Sequence, residues 1–183
     1  MKYFAYGSNM LPRRLQHASR APSAVCTGVG MLRGYRLRFH KRGMDGSAKC
    51  NAEPTDDASD VVCGVLFDVN PRDRHALDES EDCTRGGYLG ATVSIESLQD
   101  DGTAQAETYL AARNFIDDSL TPYDWYQALV VAGALEHRLP SDYVAQLRKV
   151  TALRDPEDLR REQALRLLGK YRVDFEAGRL ILM

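Results

Sequence analysis

The chain has 183 residues, of which 44% are hydrophobic, so it is long enough to bury a sizeable core in one globular domain. Its 24 basic and 26 acidic side chains leave a net charge of -2, and this near balance argues against nucleic acid or an anionic membrane as a partner. No apolar run reaches the roughly 18 residues of a membrane-spanning helix, and the first residues do not resemble a signal peptide. We therefore expect a cytoplasmic protein.

The first half of the chain is predicted to be mainly strands. Residues 2–6 are β-prone and lead into a Gly-Ser-Asn turn, and residues 9–18 have helical spacing with Pro12 near the first turn. Residues 71–81 are predicted to form a short helix with Asn70 as its N-cap. Apolar runs bounded by turn residues predict further strands within residues 25–40 (two strands and a turn), 60–69, 88–95 and 103–112.

The second half of the chain is predicted to be mainly helical. Three helices are expected over residues 122–137, 141–150 and 156–170, followed by a strand-like tail at 180–182. Strands first and helices later indicate an α+β fold, with about six strands in a curved sheet or small barrel flanked by helices. We expect a single domain over residues 1–183, with its helical part beginning near residue 122.

The first candidate site is the turn that follows the opening strand. A strand that ends in Gly7-Ser8-Asn9 and enters a helix presents free backbone N–H groups, which suit a carboxylate or a developing oxyanion. The alternative is an ordinary strand-to-helix connection with a capping residue.

The second candidate site is an acidic segment, in which Asp78, Glu79, Glu81 and Asp82 lie within five residues. Crowded carboxyl groups disfavour each other's ionised form, so a carboxyl of this segment turned into a pocket would have a raised pKa and suit general acid/base catalysis. On a helix Glu79 and Glu81 point about 200° apart, so only one of them can face inward. The alternative is a solvated helix end.

Other side chains give weaker signals. The four cysteines and four histidines have no metal-site spacing, and a Cys nucleophile with a His base is an alternative that no spacing supports. Six tyrosines could orient a polar substrate or simply pack in the core: Tyr3, Tyr6, Tyr88, Tyr109, Tyr123 and Tyr126.

Together these segments resemble the γ-glutamylcyclotransferase family. Tyr-Phe-Ala-Tyr-Gly-Ser-Asn at residues 3–9 is similar to its signature loop, and residues 77–81 followed by Tyr88 are similar to its catalytic segment. Residues 108–110, 126–134 and 139–143 are similar to its later part. The segments agree in order and spacing over roughly residues 3 to 150.

The resemblance implies a small mixed β-barrel with flanking helices and a pocket at its mouth. It implies that Glu81, and not Glu79, is the catalytic acid/base in a reaction that forms 5-oxoproline from a small γ-glutamyl compound, with no metal or cofactor. The residues it implies for substrate binding are the loop Tyr6, Gly7, Ser8 and Asn9 and the tyrosines Tyr88, Tyr109 and Tyr126.

Several points stay open at this stage. The leaving group could be an amino acid or dipeptide, an amine, glutathione, or a protected biosynthetic intermediate. The glutathione-specific branch is less favoured, because its loop differs at the position of Asn9. A further alternative is a non-catalytic binding module of the same fold. A residue other than glutamate at position 81 would have favoured this alternative, but Glu81 is present. We expect a monomer or a homodimer.

Overall fold

The computed structural model describes residues 1–174 and 179–182 and has an α+β fold. Five short α-helices are assigned within these residues: α1 (Pro12–Leu15), α2 (Arg74–Ser80), α3 (Asp124–Glu136), α4 (Ser141–Arg148) and α5 (Asp158–Arg166). The strands are β1 (Lys2–Ala5), β2 (Val25–Arg33), β3 (Tyr35–Arg42), β4 (Ala48–Pro54), β5 (Val61–Asp68), β6 (Tyr88–Ser97), β7 (Thr103–Ala111), β8 (Tyr171–Asp174) and β9 (Arg179–Leu182).

Five strands close a mixed barrel in the order β1-β5-β2-β6-β7. The consecutive pairs are antiparallel, and a parallel pairing of β1 with β7, at Tyr3 and Glu107, completes the ring. The predicted barrel is confirmed, but it contains five strands where about six were expected. The difference arises because β3 and β4 pair with each other as a separate antiparallel hairpin.

The segment after β1 is less helical than predicted. Residues 9–18 were expected to form one helix, whereas the structure has a 3₁₀ turn at Ser8–Met10 and then the four-residue α1. Leu11 separates them in an extended conformation, with φ -78° and ψ 115°. A residue before proline is sterically disfavoured in the α region, so Pro12 accounts for the break.

Helix α3 packs against the 3₁₀ turn. Ten of its residues are buried, so this helix passes through the core with apolar groups on most sides. A Cβ atom at Gly133 would lie 2.7 Å from the Cβ of Met10, which shows how closely α3 approaches the turn. Met10 itself is fully buried. The loop that the sequence singled out is therefore held rigidly against the core.

The C-terminal helices are anchored by Asp155. Its side chain is fully buried, accepts hydrogen bonds from the indole N–H of Trp125 at 2.7 Å and the backbone N–H of Glu157 at 2.8 Å, and pairs with Arg160. The predicted tail strand at 180–182 falls within β9, which pairs with β8, and residues 175–178 and 183 lie outside the described residues. In the part of the chain described, no helix is both long and apolar enough to cross a membrane.

Candidate active site

A pocket at the barrel mouth brings the two candidate sites of the sequence together. It encloses about 320 Å³ of space, including its opening. The residues that line it come from β1 and the following turn, β4, the end of α2, β6, β7 and α3: Tyr3, Tyr6, Gly7, Ser8, Asn9, Cys50, Glu81, Tyr88, Thr108, Tyr109 and Tyr126. All the residues that the resemblance implied for catalysis and substrate binding are in this set, whereas Tyr123 of the six candidate tyrosines is not.

Glu81 follows directly after α2 and faces the pocket. Its backbone N–H donates to the carbonyl of Leu77, which holds the residue in the last turn of the helix. Its side chain is 18% exposed, whereas that of Glu79 is 59% exposed. Of the two glutamates, Glu81 is therefore the inward one.

Two donors converge on the carboxylate of Glu81. The side-chain amide of Asn9 donates to Oε1 at 2.8 Å, and the guanidinium of Arg20 donates to the same atom at 3.1 Å. Arg20 also donates to the side-chain oxygen Oδ1 of Asn9 and to the hydroxyl of Ser80, both at 3.1 Å. Charged and neutral donors in this arrangement fix the orientation of the carboxylate.

The acidic segment is not the cluster of mutually repelling carboxyl groups that the sequence suggested. Asp78 pairs with Arg74 at 2.9 Å and Asp82 with Lys41 at 3.1 Å, while Glu79 is exposed and lies 3.6 Å from His75. Arg74 and His75 lie one helical turn before their partners, whereas Lys41 lies far from Asp82 in the sequence. Glu81 itself contacts the guanidinium of Arg20 at 3.1 Å.

The Gly7-Ser8-Asn9 turn forms one wall of the pocket. Ser8 and Asn9 are buried, and the 3₁₀ turn begins with Gly7 as its N-cap. A Cβ atom at Gly7 would lie 3.2 Å from the Cβ of Cys50 and 3.3 Å from the hydroxyl of Tyr126. The first residues of a helical turn present N–H groups that the turn itself does not use, and glycine keeps this backbone open to the pocket.

The pocket tyrosines are held in place by the protein. Tyr6 donates to the carbonyl of Tyr109 and Tyr88 to the carbonyl of Cys50, while Tyr109 donates to Asp78 at 2.6 Å. Tyr126 accepts from the N–H of Cys50 at 3.0 Å. Burial raises the pKa of each of these hydroxyls above 10, so they remain neutral phenols at physiological pH.

The cysteine of the pocket has the properties of a neutral thiol. Burial raises the pKa of Cys50 to about 12, so a thiolate is scarce at neutral pH and Cys50 is poorly suited to nucleophilic catalysis. Elsewhere, Cys26 lies 3.5 Å from Nδ1 of His137, a pairing that sequence spacing did not indicate, but neither residue lines the pocket. Among the described residues no group of three His, Cys, Asp or Glu could hold a metal.

Four lining or supporting residues were not among those that the resemblance implied. Tyr3, Cys50 and Thr108 line the pocket, and Arg20 holds Glu81. Tyr3 was one of the six candidate tyrosines of the sequence, and Thr108 adjoins the predicted Tyr109. Arg20 and Cys50 lie in no motif, and only the three-dimensional fold brings them to the site.

Comparisons with known proteins found similar sequences and structures. The chain is 30% identical to the γ-glutamylcyclotransferase of Mus musculus over 155 residues, which cover 81% of this chain and 77% of that protein. A model of the AIG2-like family matches residues 61–147.

Solved structures are similar as well. An uncharacterized protein from Homo sapiens superposes with a TM-score of 0.74 at 26% identity, covering 83% of this chain and 88% of that one. A structure named γ-glutamyl cyclotransferase superposes with a TM-score of 0.78 at 23% identity, covering 91% and 98%.

Proposed function

This chain belongs to the γ-glutamylcyclotransferase family, and from that premise we propose that it releases 5-oxoproline and a free amino acid or amine from a γ-glutamyl compound. Glu81 is the general acid/base of this proposal. The observation that carries it is the position of the Glu81 carboxylate, which lines the same pocket as the Gly7-Ser8-Asn9 turn and accepts a hydrogen bond from Asn9 at 2.8 Å.

The reaction begins with a proton transfer. The α-amino group of the substrate is mostly protonated at neutral pH and cannot attack until it loses a proton, which ionised Glu81 accepts. The α-nitrogen then adds to the γ-carbonyl carbon and closes a five-membered ring. A pocket that holds the glutamyl chain folded gives this intramolecular attack a very high effective concentration.

The second stage breaks the bond to the leaving group. The tetrahedral intermediate collapses, the bond from the former γ-carbonyl carbon to the leaving nitrogen breaks, and protonated Glu81 donates its proton to that nitrogen. The α-nitrogen loses a second proton as the lactam forms, and the released amine takes one up from solution. Glu81 is thereby returned to its ionised form, and no oxidant or reductant is consumed.

The main-chain turn and the tyrosines bind the substrate in this proposal. The N–H groups of Gly7, Ser8 and Asn9 hold either the α-carboxylate of the substrate or the oxyanion of the intermediate, both of which suit amides at the start of a helical turn. Tyr6, Tyr88, Tyr109 and Tyr126 shape the pocket around the glutamyl chain. Their neutral hydroxyls add no charge that would compete with Glu81 for the substrate ammonium group.

The wider expectations complete the proposal. We propose a cytoplasmic, cofactor-free enzyme, monomeric or homodimeric, that acts on a small γ-glutamyl molecule. A non-catalytic binding module of the same fold is the second candidate, and the presence of Glu81 in the pocket with two supporting donors argues against it.

The deciding experiment is an assay of 5-oxoproline release from a panel of γ-glutamyl amino acids, γ-glutamyl amines and glutathione. Turnover of one class above the others would support the proposal and identify the leaving group. A well-folded protein that releases nothing from the whole panel would overturn it in favour of the binding module.

A further inference from the structure

A second compartment opens outward from the pocket. It encloses about 690 Å³ and shares Ser8, Glu81, Tyr88 and Tyr126 with the inner pocket. The inner part has the turn and tyrosines that suit a glutamyl chain, and Glu81 lies at the junction. A leaving group attached to that chain would therefore extend into the outer compartment. The side chains that line the outer compartment would then determine which leaving groups bind.

The outer compartment is rich in charge, and most of that charge is paired. Three cations each lie close to a carboxylate there: Arg20 to Glu81 at 3.1 Å, Lys41 to Asp82 at 3.1 Å, and Lys49 to Asp45 at 2.8 Å. Each pair is close to neutral as seen by a ligand. A leaving group would therefore interact mainly with a charged side chain of the compartment that belongs to none of these three pairs.

Arg14 of α1 is the remaining charge. It lines the outer compartment but has no hydrogen bond or ion pair with any residue in the described part of the chain. Its Nε is buried and has no hydrogen-bond partner. Burial, together with the nearby cation of Arg20, lowers the pKa of this guanidinium. Buried polar groups almost always have partners, and an unpartnered guanidinium matches a carboxylate, to which it can donate two parallel hydrogen bonds.

We propose that Arg14 binds a carboxylate carried by the leaving group, so that the chain selects γ-glutamyl amino acids or peptides over γ-glutamyl amines. This inference rests on the function proposed above and specifies its substrate class. It makes Arg14 a specificity-determining residue that acts through substrate binding and takes no part in proton transfer.

The carboxylates of the compartment do not favour a cationic leaving group. Asp82 has one buried oxygen, Oδ1, without a hydrogen bond, but it is neutralised by Lys41 at 3.1 Å and lies 3.6 Å from Arg85. Asp45 is likewise occupied by Lys49. An amine that entered would meet the free cation of Arg14 and no free carboxylate.

The test compares two substrates that differ only in the carboxylate, γ-glutamyl-alanine and γ-glutamyl-ethylamide. We expect the wild-type protein to have a kcat/KM at least tenfold higher for γ-glutamyl-alanine. In Arg14→Gln, kcat/KM for γ-glutamyl-alanine should fall about 10- to 100-fold, mainly through KM, because a charge-assisted contact is lost. The ethylamide should be turned over within about twofold of wild type.

Two further variants complete the experiment. Arg13→Gln removes a neighbouring exposed arginine that donates to the carbonyl of Leu168, and it should leave both substrates unaffected. Arg14→Lys keeps the charge but loses the planar donor pair and should have an intermediate preference. Thermal unfolding should show no loss of stability in Arg14→Gln, because Arg14 has no partner to lose.

The possible failures are distinguishable. Equal loss on both substrates in Arg14→Gln and Arg14→Lys, or a wild-type preference for the ethylamide, would overturn the role of Arg14 while leaving the cyclotransferase proposal intact. Absence of 5-oxoproline from both substrates with folded wild-type protein would overturn the proposed function, and this inference with it.

Discussion

The side-chain amide of Asn9 and the carboxylate of Glu81 are 72 residues apart in the chain and meet at 2.8 Å. This contact joins the main-chain turn after β1 to the end of α2. Arg20 bonds to both partners and so fixes their relative orientation.

Replacement of Glu81 by Gln should abolish most of the activity while the protein stays folded. Gln keeps the size of the side chain and its hydrogen-bond acceptor but cannot take a proton, and general acid/base groups contribute about 10²- to 10⁴-fold to rate. The measurement is the initial rate of 5-oxoproline release together with the unfolding temperature. Glu79→Gln, which changes an exposed acid two residues away, should have wild-type activity. Comparable rates in Glu81→Gln and wild type would remove Glu81 from its role.

Arg20 is expected to act as a positioning residue. Arg20→Ala should lower kcat by about tenfold or more with a smaller change in KM, because the Glu81 carboxylate loses the cation that orients it. Arg20→Lys should recover part of kcat, since it restores the charge without the additional bonds to Asn9 and Ser80. The measurement is the steady-state kinetics of the two variants. An unchanged kcat in Arg20→Ala would contradict the positioning role of Arg20.

Gly7→Ala should impair the pocket without unfolding the barrel. The added methyl group would lie 3.2 Å from Cys50 and 3.3 Å from Tyr126, so the pocket wall must shift by a few tenths of an ångström. We expect kcat/KM to fall by roughly tenfold, because misplacing a reacting group by even 1 Å costs about 10² in rate. Gly90→Ala is the matched control, since the nearest atom there belongs to the flexible end of Arg74 at 3.4 Å. Equal activities in the two variants would show that the turn tolerates the shift.

Alkylation of cysteines should leave the activity unchanged. At pH 7.5 a small alkylating reagent should modify exposed Cys26 first, while Cys50 is protected by burial and by a pKa raised to about 12. Mass spectrometry of the modified sites and assay of the same sample provide the measurement. Loss of activity in step with the first modification would favour a thiol mechanism over the one proposed here.

Asp155→Asn should change how stability depends on pH. Burial alone would raise the pKa of Asp155, but hydrogen bonds from Arg160, the Glu157 amide and Trp125 lower it from 3.8 to about 2. Because the pKa is lower in the folded state, the stabilisation is complete above pH 4 and is lost as the pH falls towards 2.

The variant should therefore unfold at a lower temperature at neutral pH and lose less stability than wild type between pH 4 and 2. Thermal unfolding across that pH range is the measurement. Asp158→Asn, at an exposed carboxyl paired with Arg154, should follow the wild-type curve. A parallel displacement of the Asp155→Asn curve at every pH would mean that lost packing, and not the charge, is responsible.

Local sequence signals predicted most of the elements because those signals are short-range. Alternating apolar residues and turn residues located the barrel strands, and Asn70 accepts from the N–H of Arg72 as an N-cap should. The helix after β1 was predicted too long, because the restriction that Pro12 places on Leu11 outweighed helical spacing. The strand count of the barrel was wrong because β3 pairs outside the barrel with β4, a segment that was not predicted to be a strand.

The candidate site was predictable only where its residues lie in short contiguous motifs. Glu81 and the turn at residues 7–9 lie in contiguous motifs, whereas the cation that supports Glu81 comes from residue 20, in a segment with no motif of its own. Charge pairing across 61 residues has no local signature. The expectation of crowded acids was wrong because Asp78 pairs with Arg74 and Asp82 with Lys41, although helical geometry correctly predicted that only one of the two glutamates faces inward.

The parallel pairing of β1 with β7 has a consequence for biosynthesis. The hydroxyl of Thr108 donates to the carbonyl of Phe4, 104 residues earlier, and the pocket uses side chains from both strands. During translation β1 cannot pair with β7 until most of the chain has been synthesised. Contacts between residues so far apart in sequence form slowly. Under the function proposed above, the rate of 5-oxoproline release would therefore measure the fraction of refolded protein in which the barrel has closed.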